Sequence, residues 1–96
     1  MDPRLTAFKR LLDIMDDLRE KCPWDKKQTL ESLSHLTIEE TYELVDAIRE
    51  NNLEELKGEI GDLMLHMVFY AKIASEKSAF DITDVLNAIC LSLIHI

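Results

Sequence analysis

The chain has 96 residues, with 11 Lys+Arg against 19 Asp+Glu for a formal net charge of −8. That length makes one domain, and the acidic balance disfavours nucleic acid and anionic membranes, both of which need a basic face to displace counterions. With 47% apolar residues but only 2 Gly and 2 Pro, the chain is too sparsely punctuated for a many-turned β-sandwich; it is expected to be all-α.

Asp2-Pro3 starts the first helix, a capping carboxylate followed by a proline whose missing N–H is of no consequence there. Leu5, Phe8, Leu11, Leu12, Met15 and Leu18 then recur at helical spacing. Pro23 ends the pattern, and a connecting segment is expected through about Leu36, with room for a short helix over Leu30–His35. Thr37-Ile38-Glu39-Glu40 has the form of a capping box opening a second helix to about Asn51. After an Asn51-Asn52 turn, Leu53–Glu76 reads as one long helix with Leu56, Ile60, Leu63, Met64, Met67, Val68 and Ala71 along its inward side. Asp81-Ile82-Thr83-Asp84 resembles a fourth helix start, with Ile82, Val85, Leu86 and Ile89 facing in. Leu65, Phe69 and Tyr70 lie off the main stripe of the third helix. A helix apolar nearly all round is covered on several sides, so a four-helix bundle that assembles into a homodimer or larger homo-oligomer is expected.

The informative constellation is Glu39-Glu40-x-x-Glu43 on the second helix and Glu59-x-x-Asp62 on the third. Residues three or four apart share a helix face, and the short turn makes the two helices antiparallel neighbours. Glu43 lies eight residues before Asn51 and Glu59 seven after Asn52, so the two pairs stand at similar height. Two like charges about 4 Å apart repel by roughly 4 kcal/mol at an effective dielectric of 20. The carboxylates therefore either diverge into water, as on any solvated acidic face, or share a hard cation such as Mg²⁺ or Mn²⁺. Gly58 and Gly61, each up to ~1 kcal/mol worse than Ala inside a helix, flank the second pair and favour close approach of a neighbouring helix or a ligand.

Cys22-Pro23-Trp24-Asp25-Lys26-Lys27-Gln28-Thr29, then Glu39-Glu40-Thr41-Tyr42-Glu43, then Gly58-Glu59-Ile60-Gly61-Asp62-Leu63 together resemble the MazG family of nucleoside triphosphate pyrophosphohydrolases, over roughly residues 5–90. The resemblance implies a MazG-like bundle over residues 1–90 that hydrolyses nucleoside triphosphates to a monophosphate and pyrophosphate with Mg²⁺ (or Mn²⁺). By motif it implies Glu40, Glu43, Glu59 and Asp62 as metal ligands. Glu39 is the implied catalytic residue, orienting or deprotonating the attacking water, or else supporting the ligands from behind. A bound cation would also let an acidic protein hold a polyanion, since it inverts the local field.

Other residues carry two readings each. Trp24 stacks on a base or covers a helix junction. Lys26, Lys27 and Lys57 contact phosphates or are simply solvated. Asp46 backs the ligands or is surface, and His66 either extends the site or is a hydrogen-bonded interface histidine. Met64 and Met67 read as core. Cys22 and Cys90 are too few for a disulfide framework and lack a basic partner for nucleophilic work. No early stretch has the form of a signal peptide, and the longest apolar run, Leu63–Ala71, is too short to span a bilayer, so a cytoplasmic location is expected.

Family members usually continue the fourth helix into a basic segment, and many carry a second copy of the domain. Residues 91–96 instead form an atypical tail that matches the translation of a common sequencing-adapter end and reads as foreign to a truncated frame. That departure sustains a rival expectation, a non-catalytic helical assembly module that keeps the fold. A carboxylate-bridged di-iron bundle is a poorer rival, because the chain has no Glu-x-x-His pair.

Overall fold

The computed structural model describes residues 1–94, all of whose regular structure is helical. The helices are α1 (Pro3–Lys21), α2 (Pro23–Lys27), α3 (Leu30–Arg49), α4 (Leu53–Glu76) and α5 (Ile82–Ile94). The four long helices expected from the sequence are present, and the one-turn α2 is added between the first two. Pro23 both ends α1 and opens α2, since a proline is tolerated in a helix's first turn but not in its interior.

The caps explain the boundaries. Asp2 accepts from the Arg4 N–H at 2.9 Å, as expected. The second long helix starts eight residues earlier than the expected capping box at Thr37. Thr29 and Ser32 form the actual box, each side chain meeting the other's backbone N–H at 3.0 and 2.8 Å. Nothing between Leu30 and Thr37 breaks a helix, so the earlier cap governs and Thr37 becomes an interior residue. Asn51, at φ 55°, reverses the chain after α3 while the Asn52 N–H reaches back to the Ala47 carbonyl at 3.0 Å. Ser78, at φ 58°, ends α4 in the same way through the Ala79 N–H and the Ala74 carbonyl. Asp81 and Asp84 cap α5 reciprocally, each carboxylate accepting the other's backbone N–H at 3.0 Å.

Helix α4 is the centre of the fold: α3, α1 and α5 all pack on it, and α2 packs on α1. The core joins Met15, Leu33, Val68, Phe69 and Ile73, with Phe8, Leu11, Leu12, Leu36, Leu65 and Tyr70 around them. It lies at the C-terminal half of α4, which corrects the expected inward stripe. Phe69, placed off the main face by periodicity, is only 3% exposed, whereas Ile60, Met64 and Met67 are 46%, 44% and 48% exposed. The reason is geometric. The first half of α4 has α3 as its main partner, so much of its circumference stays open. Helix α5 buries no residue; Ile82 is half-buried, while Val85, Leu86 and Ile89 are exposed. Leu91–Ile94 continue α5, and His95 and Ile96 lie outside the described residues.

Candidate metal centre

The two-residue turn makes α3 and α4 an antiparallel pair, and Glu40 and Glu43 on α3 meet Glu59 on α4. One carboxylate oxygen from each lies within 4.8 Å of the other two. Glu40 Oε2 and Glu59 Oε2 are buried and have no hydrogen-bond partner among the described residues. Burial pushes the Glu40 carboxyl up to about 7, with Glu59, Glu43 and Asp62 adding to the push. Glu59 is raised too, first by burial and then by the charges of Glu43 and Asp62, against the lowering effect of a hydrogen bond with Glu40.

An unpartnered buried carboxylate oxygen is expensive, and here two of them belong to a cluster of three carboxylates. Among the described residues no Lys or Arg forms an ion pair with Glu40, Glu43 or Glu59. The donor set is all oxygen and anionic, which fits a hard divalent cation.

The other candidates fall in different places. Asp62 is exposed, one turn after Glu59, outside the 4.8 Å group but near enough to raise both Glu40 and Glu59. Glu39 is exposed beside Glu40, and Asp46 is exposed one turn beyond Glu43. Lys57 precedes Glu59 by two residues, about 160° round the helix, and pairs with Glu54 at 2.6 Å. Trp24, Lys26 and Lys27 sit on α2, before the start of α3, ten residues or about 15 Å of helix from Glu40. The Trp24 side chain is 54% exposed there. Among the described residues a Cβ at Gly58 or Gly61 would meet nothing within 4 Å, so none of the described helices makes the close approach these glycines suggested.

His66 is a hydrogen-bonded residue of the α3–α4 seam, its Nδ1 being 2.8 Å from Thr37 Oγ1. Tyr70 joins the same hydroxyl. Sequence reasoning missed Thr37 and Tyr70, the first because it read as a helix cap. The usable signal was spacing: Thr37 precedes Glu40 by three and His66 follows Asp62 by four, so both extend the carboxylate faces.

The MazG nucleotide pyrophosphohydrolase domain family matches residues 28–95. A nucleoside triphosphate pyrophosphohydrolase of Escherichia coli (strain K12) is 48% identical over 88 residues, covering 88% of this chain and 34% of its own length. The Thermotoga maritima nucleoside triphosphate pyrophosphohydrolase/pyrophosphatase MazG is 49% identical over 90 residues, covering 92% of this chain and 35% of its own length. The chain thus spans about a third of the length of these relatives. The crystal structure of a mazG-related protein from Thermotoga maritima superposes with a TM-score of 0.81 at 30% identity, covering 91% of this chain and 76% of that one. With its family matched over most of its length and its fold shared with that structure, the chain belongs to the MazG nucleotide pyrophosphohydrolase domain family.

Proposed function

We propose that this domain hydrolyses nucleoside triphosphates to nucleoside monophosphates and pyrophosphate, cleaving between the α- and β-phosphates with Mg²⁺ or Mn²⁺ bound. The observation that carries the reading is the pair of orphaned oxygens, Glu40 Oε2 and Glu59 Oε2, beside Glu43. The names of the two relatives support the substrate class.

In this reading Glu40, Glu43 and Glu59 hold the cation, and Asp62, one turn along, completes the ligands. The cation supplies charge neutralisation at the phosphate oxygens and a lowered pKa for water. Glu39, exposed next to Glu40, orients the attacking water or takes its proton. Trp24 is the proposed base contact: its exposed indole and its distance along α3 from Glu40 suit the end of a nucleotide remote from the phosphates. Lys26 and Lys27 share that distance, which makes them poorer phosphate contacts than their charge suggests. Lys57 is poorer still, being paired to Glu54 on another side of α4.

The site is further proposed to work in a homo-oligomer in the cytoplasm. Support for assembly comes from Ile60, Met64 and Met67 on α4 and Val85, Leu86 and Ile89 on α5, all large, apolar and exposed in the protomer. No described helix is long and apolar enough to cross a membrane.

The test is pyrophosphate release from a panel of nucleoside triphosphates with Mg²⁺ present and chelated. Glu43→Gln and Asp62→Asn are each expected to abolish release while leaving the helical circular dichroism intact. Release that survives both substitutions refutes the site.

A further inference from the structure

Thr37 lies one turn before Glu40 on α3, and its hydroxyl is fully used. It donates to the Leu33 carbonyl at 3.3 Å. It also meets His66 Nδ1 at 2.8 Å and the Tyr70 hydroxyl, both on α4. A threonine oxygen has one hydrogen and two lone pairs. With the hydrogen committed to Leu33, all three contacts are satisfied together only if His66 Nδ1–H and Tyr70 O–H both donate to Thr37. All three side chains are half-buried.

Both of these side-chain hydrogen bonds join α3 to α4. They stand a turn from carboxylates that, once ionised, repel one another across the same seam. Apolar packing along the seam opposes that repulsion and restricts rotation and slide through interdigitation, but it has no preferred direction of its own as a hydrogen bond does. A hydroxyl held by two donors from the facing helix adds that direction.

We propose that Thr37 is a positioning residue for the carboxylate cluster: clasped by His66 and Tyr70, it sets the α3–α4 register that holds Glu40 opposite Glu59, and so sets the cation affinity. The proposal rests on reading the cluster as a cation site, and the experiment separates the two. Mn²⁺ is titrated into the full chain, with binding followed by calorimetry and by electron paramagnetic resonance.

Thr37→Val, which keeps the shape but removes the hydroxyl, is expected to weaken Mn²⁺ binding about tenfold or more, the size typical of lost outer hydrogen bonds at metal sites. Thr37→Ser is expected to restore it. Tyr70→Phe leaves Thr37 in place and removes one donor, so it should give a smaller loss of the same sign; it decides the matter if Thr37→Val fails to fold. The ¹⁵N spectrum of His66 should show the Nδ1–H form in the wild type and lose that preference in Thr37→Val. Leu36→Ala, which trims the core nearby, should lower the melting temperature without changing Mn²⁺ affinity. Wild-type affinity in both Thr37→Val and Tyr70→Phe overturns the proposal, as does an equal loss in Leu36→Ala. Absence of Mn²⁺ binding by the wild type instead overturns the cation site itself.

Discussion

Arg19 on α1 grips Glu76 on α4 with a two-pronged bond, Nε to Oε2 and Nη2 to Oε1, each 2.9 Å, across 57 residues of sequence. The same guanidinium's Nη1 donates to the backbone oxygens of Asp25, Lys26 and Gln28 at 2.6, 3.2 and 3.0 Å. Its Cζ lies 5.8 Å from the centroid of the Phe69 ring. One side chain thus ties α1, α2 and the approach to α3 onto the end of α4. Planar, forked donors suit this; a lysine offers one compact charge.

Arg19→Ala should therefore cost about 2–3 kcal/mol in urea unfolding, because it strands several acceptors as well as removing an ion pair. Arg19→Lys should recover less than half of that loss. Near-wild-type stability in Arg19→Lys would show that charge alone suffices. The Arg19 guanidinium holds the Glu76 carboxyl below its ordinary value near 4.5. A depressed acid binds protons less readily folded than unfolded, so this contribution is present above about 4.5 and fades as pH falls below it.

Glu40 has the opposite sign. Its carboxyl is raised to about 7 from 4.5, so the folded chain keeps a proton there that the unfolded chain gives up. Stability of the chelated protein should consequently decline as pH rises from 4.5 through 7, and level off above that. Mg²⁺ should flatten the decline by replacing the proton, and its affinity should climb across the same window. Urea unfolding from pH 5 to 8, with chelator and with Mg²⁺, checks both slopes. Identical slopes under the two conditions would mean the cation binds elsewhere.

Gly58→Ala should raise the melting temperature of the protomer, since the added methyl meets open space and Ala is better than Gly inside a helix by up to ~1 kcal/mol. Calorimetry in dilute solution measures it. Destabilisation would reveal a close neighbour that a single protomer does not contain.

Phe69 and Met67 are two residues apart on α4 and should behave as opposites. Phe69→Ala empties the core and should cost about 3–5 kcal/mol. Met67→Lys, on the exposed face, should leave unfolding nearly unchanged while shifting sedimentation toward the monomer. A Met67→Lys protein that sediments as the wild type does would remove this face from any assembly.

Helix positions were legible wherever a local signal had no rival. Asp2-Pro3, the Asn51-Asn52 turn and Asp81 through Asp84 all act as their residue types dictate. Thr37 misled because a capping box and an interior threonine look alike until Thr29 and Ser32 are known to have capped the helix already. The meeting of Glu40, Glu43 and Glu59 followed from equal spacing on either side of a short turn. The placement of Phe69 inside and Met67 outside did not follow, because an apolar helix with several neighbours has no single preferred stripe; which face wins depends on where α1 and α5 land.

The acidic residues that meet, Glu43 and Glu59, are separated by only 16 positions, all within one helical hairpin. Closing so short a loop is entropically cheap, and it needs nothing from α1 or α5. Local closure of this kind favours pairing of α3 with α4. The packing beneath it is not local, however: Met15 of α1 completes the core that Phe69 and Ile73 of α4 begin, so the acidic pair comes from one hairpin while its support comes from the whole chain.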